Sequence, residues 1–328
     1  MNILYIGGTG NISAACVRRS VEKGHKVFVL NRGKSKANIP PEVYQLYADI
    51  QDEGAVRNVL AGRTFDVVVN FIAYHPEDIE RDIRLFSGHI GQYIFISSAS
   101  VYQKPLNHPI ITESTPLVNP YWQYSRDKIA CEDLLISAHR NQGFPMTIIR
   151  PSLTYETVIP VAIGGWTEFT IIDRIRTGKP IIVHGDGTSI WTITHSIDFA
   201  KGFCGLLGHP QAIGQSFHIT SDELLTWNQV YEAVMEAAGA STDMIHIPSA
   251  FIGKFSEEMR GNLFGDKAVS TIFDNSKIKR YVPEFVATIP FHQGIKTTIQ
   301  WLDEDKSRQV RKPETDRFMD QVIAAYLR

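Results

Sequence analysis

Tyr124 and Lys128 stand four residues apart in the run Tyr124-Ser125-Arg126-Asp127-Lys128. The surrounding segment reads as helix, and residues i and i+4 share one helix face, so phenol and ammonium can point at one substrate. A phenol titrates near ~10 and is neutral at pH 7. A cation close by favours the phenolate and makes Tyr124 a usable base. The pair alone also fits a solvated helix face, so its meaning depends on the elements that would position it.

The first of these elements is the N-terminal run Asn2-Ile3-Leu4-Tyr5-Ile6-Gly7-Gly8-Thr9-Gly10-Asn11-Ile12-Ser13. An apolar run stops at glycines, and a helical pattern follows through Ala14, Ala15, Val17 and Val21. That order is strand, tight turn, helix. Glycines here let the backbone approach a pyrophosphate, and the helix N-terminus offers free N–H groups and a positive dipole. The dinucleotide-binding candidates in this turn are Gly7, Thr9, Gly10, Asn11 and Ile12. The usual third glycine is replaced by Ser13.

The second strand, Lys26 to Leu30, ends at Asn31-Arg32-Gly33-Lys34-Ser35-Lys36. An acidic residue there would hold the ribose 2′-hydroxyl of NAD. A neutral Asn31 followed by Arg32 suits a 2′-phosphate, so the cofactor is NAD or NADP with a slight lean to NADP. Asp49, followed by Ile50, can accept from an adenine amino group. The run from Asp66 to Ala73 is apolar on both faces, as a central parallel strand should be. Its end, Phe71-Ile72-Ala73, falls where ligands bind in open α/β sheets. Another strand, Tyr93 to Ile96, runs into Ser97-Ser98-Ala99-Ser100-Val101-Tyr102, where bunched hydroxyls such as Ser100 can orient a substrate oxygen or simply cap a loop. His75 and His195 are further candidate substrate contacts. For His195 a bond to loop backbone is the more ordinary use.

Taken in this order, the glycine turn, Asp49, Phe71 to Ala73, Ser-Ser-x-x-Val-Tyr and Tyr124-x-x-x-Lys128 resemble the extended short-chain dehydrogenase/reductases. More narrowly they resemble the NAD-dependent epimerase/dehydratase family. Gly185-Asp186-Gly187 and Asp198-Phe199-Ala200 extend the resemblance over roughly residues 1 to 240. It implies a Rossmann-type doubly wound parallel sheet with a smaller mixed α/β lobe. It implies that Ser98 is catalytic, that Tyr124 is the acid/base, and that Lys128 holds the nicotinamide ribose and lowers the Tyr124 pKa. Pro151 joins the cofactor set. A homodimer built on Asp78 to Phe86 and Lys128 to Ala138 is also implied. The departures matter as well. Dehydratases of the family carry Asp-Glu after the catalytic hydroxyl residue, where this chain has Ala99 and Ser100, which argues against 4,6-dehydration. Nucleotide-sugar binders carry an Asn at the position of Leu153 and a diphosphate-clamping Arg at that of Trp191. Arg174, Arg176 or Lys179 could replace the clamp. Otherwise Trp191, Trp166 and Tyr121 could stack on a ring. Three functions stay open: an epimerase or oxidoreductase on a sugar-containing substrate, an NADPH-dependent ketoreductase on a non-nucleotide substrate, and a non-catalytic RNA-binding relative.

The composition fits a soluble enzyme. The 328 residues are 43% hydrophobic and 21% charged, enough for a full core. A net charge of -2 offers no general attraction to nucleic acid. Cys16, Cys131 and Cys204 have no metal-ligand or disulfide spacing, so no metal is expected. No apolar run reaches membrane length and the first residues read as a strand, so a cytoplasmic setting is expected. The alternation of strand and helix places a dinucleotide-binding domain at residues 1–153, with 181–210 returning to it. Residues 154–180 and 211–328 form the expected substrate lobe.

Overall fold

A computed structural model describes residues 1–34 and 39–328; Ser35 and Lys36 of the basic turn lie outside the described residues. The chain opens with β1 (Asn2–Ile6), α1 (Ser13–Glu22), β2 (Lys26–Asn31), β3 (Tyr44–Tyr47), α2 (Glu53–Leu60), β4 (Val67–Asn70), α3 (Pro76–Phe86), β5 (Gln92–Ile96) and α4 (Gln123–Gln142). With the strands Met146–Pro151 and Ser216–Ile219 these form one seven-stranded sheet. From one edge it runs Ser216–Ile219, Met146–Pro151, β5, β4, β1, β2, β3, and every pairing is parallel. The expected doubly wound sheet is therefore present.

Alternation along each strand builds two cores. Ile3 and Tyr5 of β1 face one layer with α1 and the helix α6 (Ser196–Leu206), while Leu4 and Ile6 face the other with α2, α3 and α4. Both faces are covered, which is why these strands are apolar throughout. The strand order reverses between β1 and β4, so the loops after them part and leave a crevice at their C-terminal ends. Gly7 and Phe71 sit there.

The lobe has its own core. It joins α5 (Thr170–Arg176) and α7 (Trp227–Ala238) to the helices Phe291–Asp303 and Pro313–Tyr326. Two strands lie elsewhere than the sequence suggests. Ile181–His184 stays out of the central sheet and pairs with Met244–Ile247 in the lobe. Ser216–Ile219, expected in the lobe, is instead the edge strand of the central sheet beside Met146–Pro151. Both are short buried apolar runs, and pattern alone cannot say which sheet such a run joins. Of residues 181–210, it is α6, packed against α1, that returns to the half built on the central sheet.

Candidate active site

The glycine turn closes on itself through Ser13. The Ser13 hydroxyl donates to Gly7 O at 2.8 Å and accepts from Gly10 N at 2.8 Å. A hydroxyl thus ties the turn where a third glycine is usual. Gly7 has φ +80°, and a Cβ there would meet Ile72 Cγ2 at 2.5 Å. Only glycine lets β1 turn beneath the β4 loop. Asn11 fastens the turn to the lobe: its amide donates to Thr154 O at 3.2 Å and its oxygen accepts from Thr157 N at 3.1 Å.

From this turn a groove runs outward between Gly7, Thr9, Gly10, Asn31, Arg32, Asp49, Ile50 and Ile72. Asn31 Oδ1 accepts from Gly33 N at 2.7 Å, which spends the side chain on shaping its own turn. Arg32 stands 3.9 Å from Asp49 with both side chains largely in solvent. Inward, Asn11 and Ile12 line a neighbouring recess with Thr157, Glu168 and Trp166. The shape and donor set fit a dinucleotide: a glycine turn at a helix start for the pyrophosphate, a polar outer end for the ribose, and apolar Ile12, Phe71 and Pro151 at the inner end.

At that inner end lies a cavity of about 440 Å³, lined by Ser98, Ser100, Tyr124, Lys128, Pro151 and Leu153. Tyr124 and Lys128 reach it because α4 begins at Gln123 and buries the stripe Ser125, Lys128, Cys131, Glu132, Leu135, Ala138. Lys128 is buried, and its ammonium donates to Ala73 O at 2.6 Å and Ile96 O at 2.9 Å. Ala73, expected at the cofactor, is itself fully buried and serves as this acceptor. Loss of hydration lowers the Lys128 pKa from 10.5 to about 8. A chain of hydroxyls runs from Ser125, which donates to Ser100 Oγ at 2.8 Å, to Ser98 Oγ, 2.9 Å from Ser100 Oγ. Ser98 stands within reach of a bond to the Tyr124 phenol, an interaction that favours the phenolate.

That bond does not prevail. Burial raises the Tyr124 pKa, the neighbouring Tyr74 adds to the rise, and the phenol is neutral at rest. This reverses the expected lowering by Lys128. Its Nζ lies 5.8 Å from the Tyr124 ring centre and spends its protons on two carbonyls.

The remaining candidates scatter. Trp191 is a core residue, stacked on Trp227 at 5.8 Å between ring centres. It does not line the cavity. His195 is buried, its Nδ1 accepts from Ile197 N at 3.2 Å to cap α6, and its ring meets Tyr155 edge-on. Burial lowers its pKa to about 4, so it is neutral. His75 precedes α3 with its ring in solvent, 3.6 Å from Asp127. It too does not line the cavity. Arg174, Arg176 and Lys179 are consumed by lobe ion pairs with Asp316, Asp320 and Asp303. Of the three aromatic platforms proposed, Trp166 borders the cavity, whereas Tyr121 packs near Phe264.

Sequence reasoning missed Tyr74 and Trp122. Tyr74 borders all three recesses and receives the Lys128 ammonium 4.7 Å from its ring centre. Trp122 packs 4.8 Å from Tyr124. Their closeness to Ala73 and Tyr124 along the chain was the available signal. No signal of that kind marked Asp266 and Lys267, which line the same cavity.

The sequence profile described as the NAD dependent epimerase/dehydratase family matches residues 3–220. The chain is 23% identical over 285 residues to 2'-dehydrokanamycin reductase of Streptomyces kanamyceticus, covering 87% of this chain and 80% of that protein. It is 28% identical over 250 residues to the chloroplast stem-loop binding protein of 41 kDa b of Arabidopsis thaliana, covering 72% of this chain and 63% of the relative. Its fold is similar to that of UDP-glucose 4-epimerase from Bifidobacterium longum, solved in complex with NAD+ and UDP. The TM-score is 0.73 at 19% identity, over 94% of this chain and 100% of that one.

Proposed function

The chain belongs to the NAD dependent epimerase/dehydratase family, and we propose that it oxidises or reduces a secondary hydroxyl of a sugar-containing substrate with Tyr124 as acid/base. The observation that carries this reading is the meeting of Ser98, Tyr124 and Lys128 in one cavity at the inner end of the glycine-turn groove. A nicotinamide, when bound, would supply the hydride donor or acceptor. Ser98 and Tyr124 would bond the reacting oxygen and fix its position. Lys128 holds its ammonium against the 73 and 96 carbonyls, where it is ready to orient a ribose hydroxyl.

The neutral phenol suits proton donation to a carbonyl oxygen, so the resting site is set for reduction. Epimerisation by the same groups needs a cofactor retained between the two directions. Ala99 and Ser100 leave no acid where a dehydratase would carry one, and 4,6-dehydration is not proposed. Arg32 at the outer end of the groove supports the lean to NADP. A homodimer through α3 and α4 remains part of this reading, as does a protein that does not bind nucleic acid.

The stem-loop binding relative carries a second reading, a nucleic-acid binder on this fold. Mass spectrometry of nucleotide released from heat-denatured protein separates them. Near-stoichiometric NAD supports the epimerase, and an empty protein that binds NADPH reversibly supports the reductase. A protein that binds neither refutes both. Salt-dependent RNA binding in a filter assay then favours the second reading.

A further inference from the structure

Four side chains line both the cavity at Tyr124 and the recess beside the glycine turn: Ile12, Phe71, Tyr74 and Trp166. They ring the neck between the two spaces. Ile12, Phe71 and Tyr74 come from the loops after β1 and β4, and Trp166 faces them from the lobe. Trp166 has φ +60°, and among the described residues no other residue but glycine has a positive φ. A β-carbon in this left-handed region crowds the following carbonyl, so the conformation persists only where its surroundings impose it. Here they do. Trp166 N donates to Ile159 O at 2.6 Å, and Ile159 N donates to Trp166 O at 3.0 Å. A Cβ on Gly165 would meet Ile159 O at 2.5 Å, so the short turn between the two closes only on glycine. Ile171 N donates to Gly164 O and Phe169 N to Val310 O, both at 2.7 Å, which ties down the flanks.

Packing does not offset this strain. The Trp166 side chain sits in a residue 47% exposed. The other four tryptophans each pack against a ring or a guanidinium: Trp122 against Tyr124, Trp191 against Trp227, and Trp301 beneath Arg308. Trp166 has no such partner among the described residues. A large flat apolar surface therefore stands open at the neck, on a backbone pinned at both ends. Backbone strain kept without a packing gain is a mark of a ligand contact. The neck is also where apolar Ile12 and Phe71 end the dinucleotide groove and the cavity of Ser98, Tyr124 and Lys128 begins.

We propose that Trp166 covers the inner end of a bound dinucleotide, with its indole packed on the nicotinamide ring so that it positions the ring and slows its release. The inference rests on the dinucleotide reading of the groove. NADH and ADP-ribose serve as probes, because ADP-ribose keeps the adenosine, the pyrophosphate and the second ribose but lacks the nicotinamide. Stopped-flow emission gives the affinity and release rate of NADH, and calorimetry gives the affinity of ADP-ribose. Trp166→Ala and Trp166→Gly should each weaken NADH about tenfold, mainly through faster release, and leave ADP-ribose within about twofold. Trp166→Phe keeps a ring and should retain most of the NADH affinity. Trp166→Gly also relieves the crowded backbone and should melt higher than Trp166→Ala, a gain that a misfolded variant cannot produce. NADH binding unmoved by Trp166→Ala and Trp166→Gly overturns the cover. So does an equal loss of NADH and ADP-ribose, which would mean that the substitutions disturb the whole groove. If the wild type binds neither probe, the dinucleotide reading itself fails and the cover falls with it.

Discussion

Replacing Lys128 by methionine tests the electrostatics at the centre of the site. In the folded chain the ammonium is buried, and loss of hydration brings its pKa from 10.5 to about 8. In the unfolded chain it keeps the ordinary value. Between these two pH values the unfolded state holds a proton that the folded state has released, so stability rises with pH across the window. Below about pH 8 both states are protonated and the folded state bears the whole cost, about 3 kcal/mol for a displacement of this size. Above 10.5 neither state is charged and the cost is gone. The assay is urea unfolding of wild type and Lys128→Met from pH 7 to 10.5, taking the difference in unfolding free energy at each pH. Groups common to both proteins largely cancel. The lost bonds to Ala73 O and Ile96 O add a roughly constant offset. Wild type should gain about 3 kcal/mol on the variant across the window. A difference flat in pH would refute the claim that burial dominates at Lys128, and a falling one would mean that Asp78 and Glu132 outweigh it. Because only the charged form is a strong partner for a ribose hydroxyl, cofactor binding should weaken as pH rises through about 8.

Two further outcomes follow from the packing. Gly7→Ala puts a methyl 2.5 Å from Ile72 Cγ2 at φ +80°. It should cost about 1–3 kcal/mol in thermal melts and weaken NADH binding. Adding Ile72→Ala should recover only part, because the backbone strain stays. Trp191→Ala should cost about 3–5 kcal/mol of stability as a core truncation. NADH titration of the variant should match wild type, and a binding defect at unchanged stability would return Trp191 to the site.

Much of the cofactor half was legible because its signals are local. A strand stopping at glycines before a helix needs no distant partner to be recognised. Nor does a Tyr/Lys pair one helical turn apart, and both lie where the sequence puts them. Ser13 stands where a third glycine is usual, yet its hydroxyl bonds to Gly7 and Gly10 close the same turn in a different way. The lobe was hardly legible. Trp166 and Trp191 look alike along the chain, and only packing on Trp227 separates the core residue from the cavity residue.

What the chain alone determined is the set of groups and their short-range geometry: the turn, the helix face, the apolar strands. Tertiary structure decided everything that depends on burial and on contacts between distant segments. It placed Ser216–Ile219 in the central sheet and Ile181–His184 outside it. It brought Asp266 and Lys267 onto the wall of the same cavity as Ser98 and Tyr124 from far away in sequence. It also reversed the expected shift at Tyr124, because a neighbour four residues away can be read from spacing, whereas desolvation arises only when the rest of the chain closes over the phenol.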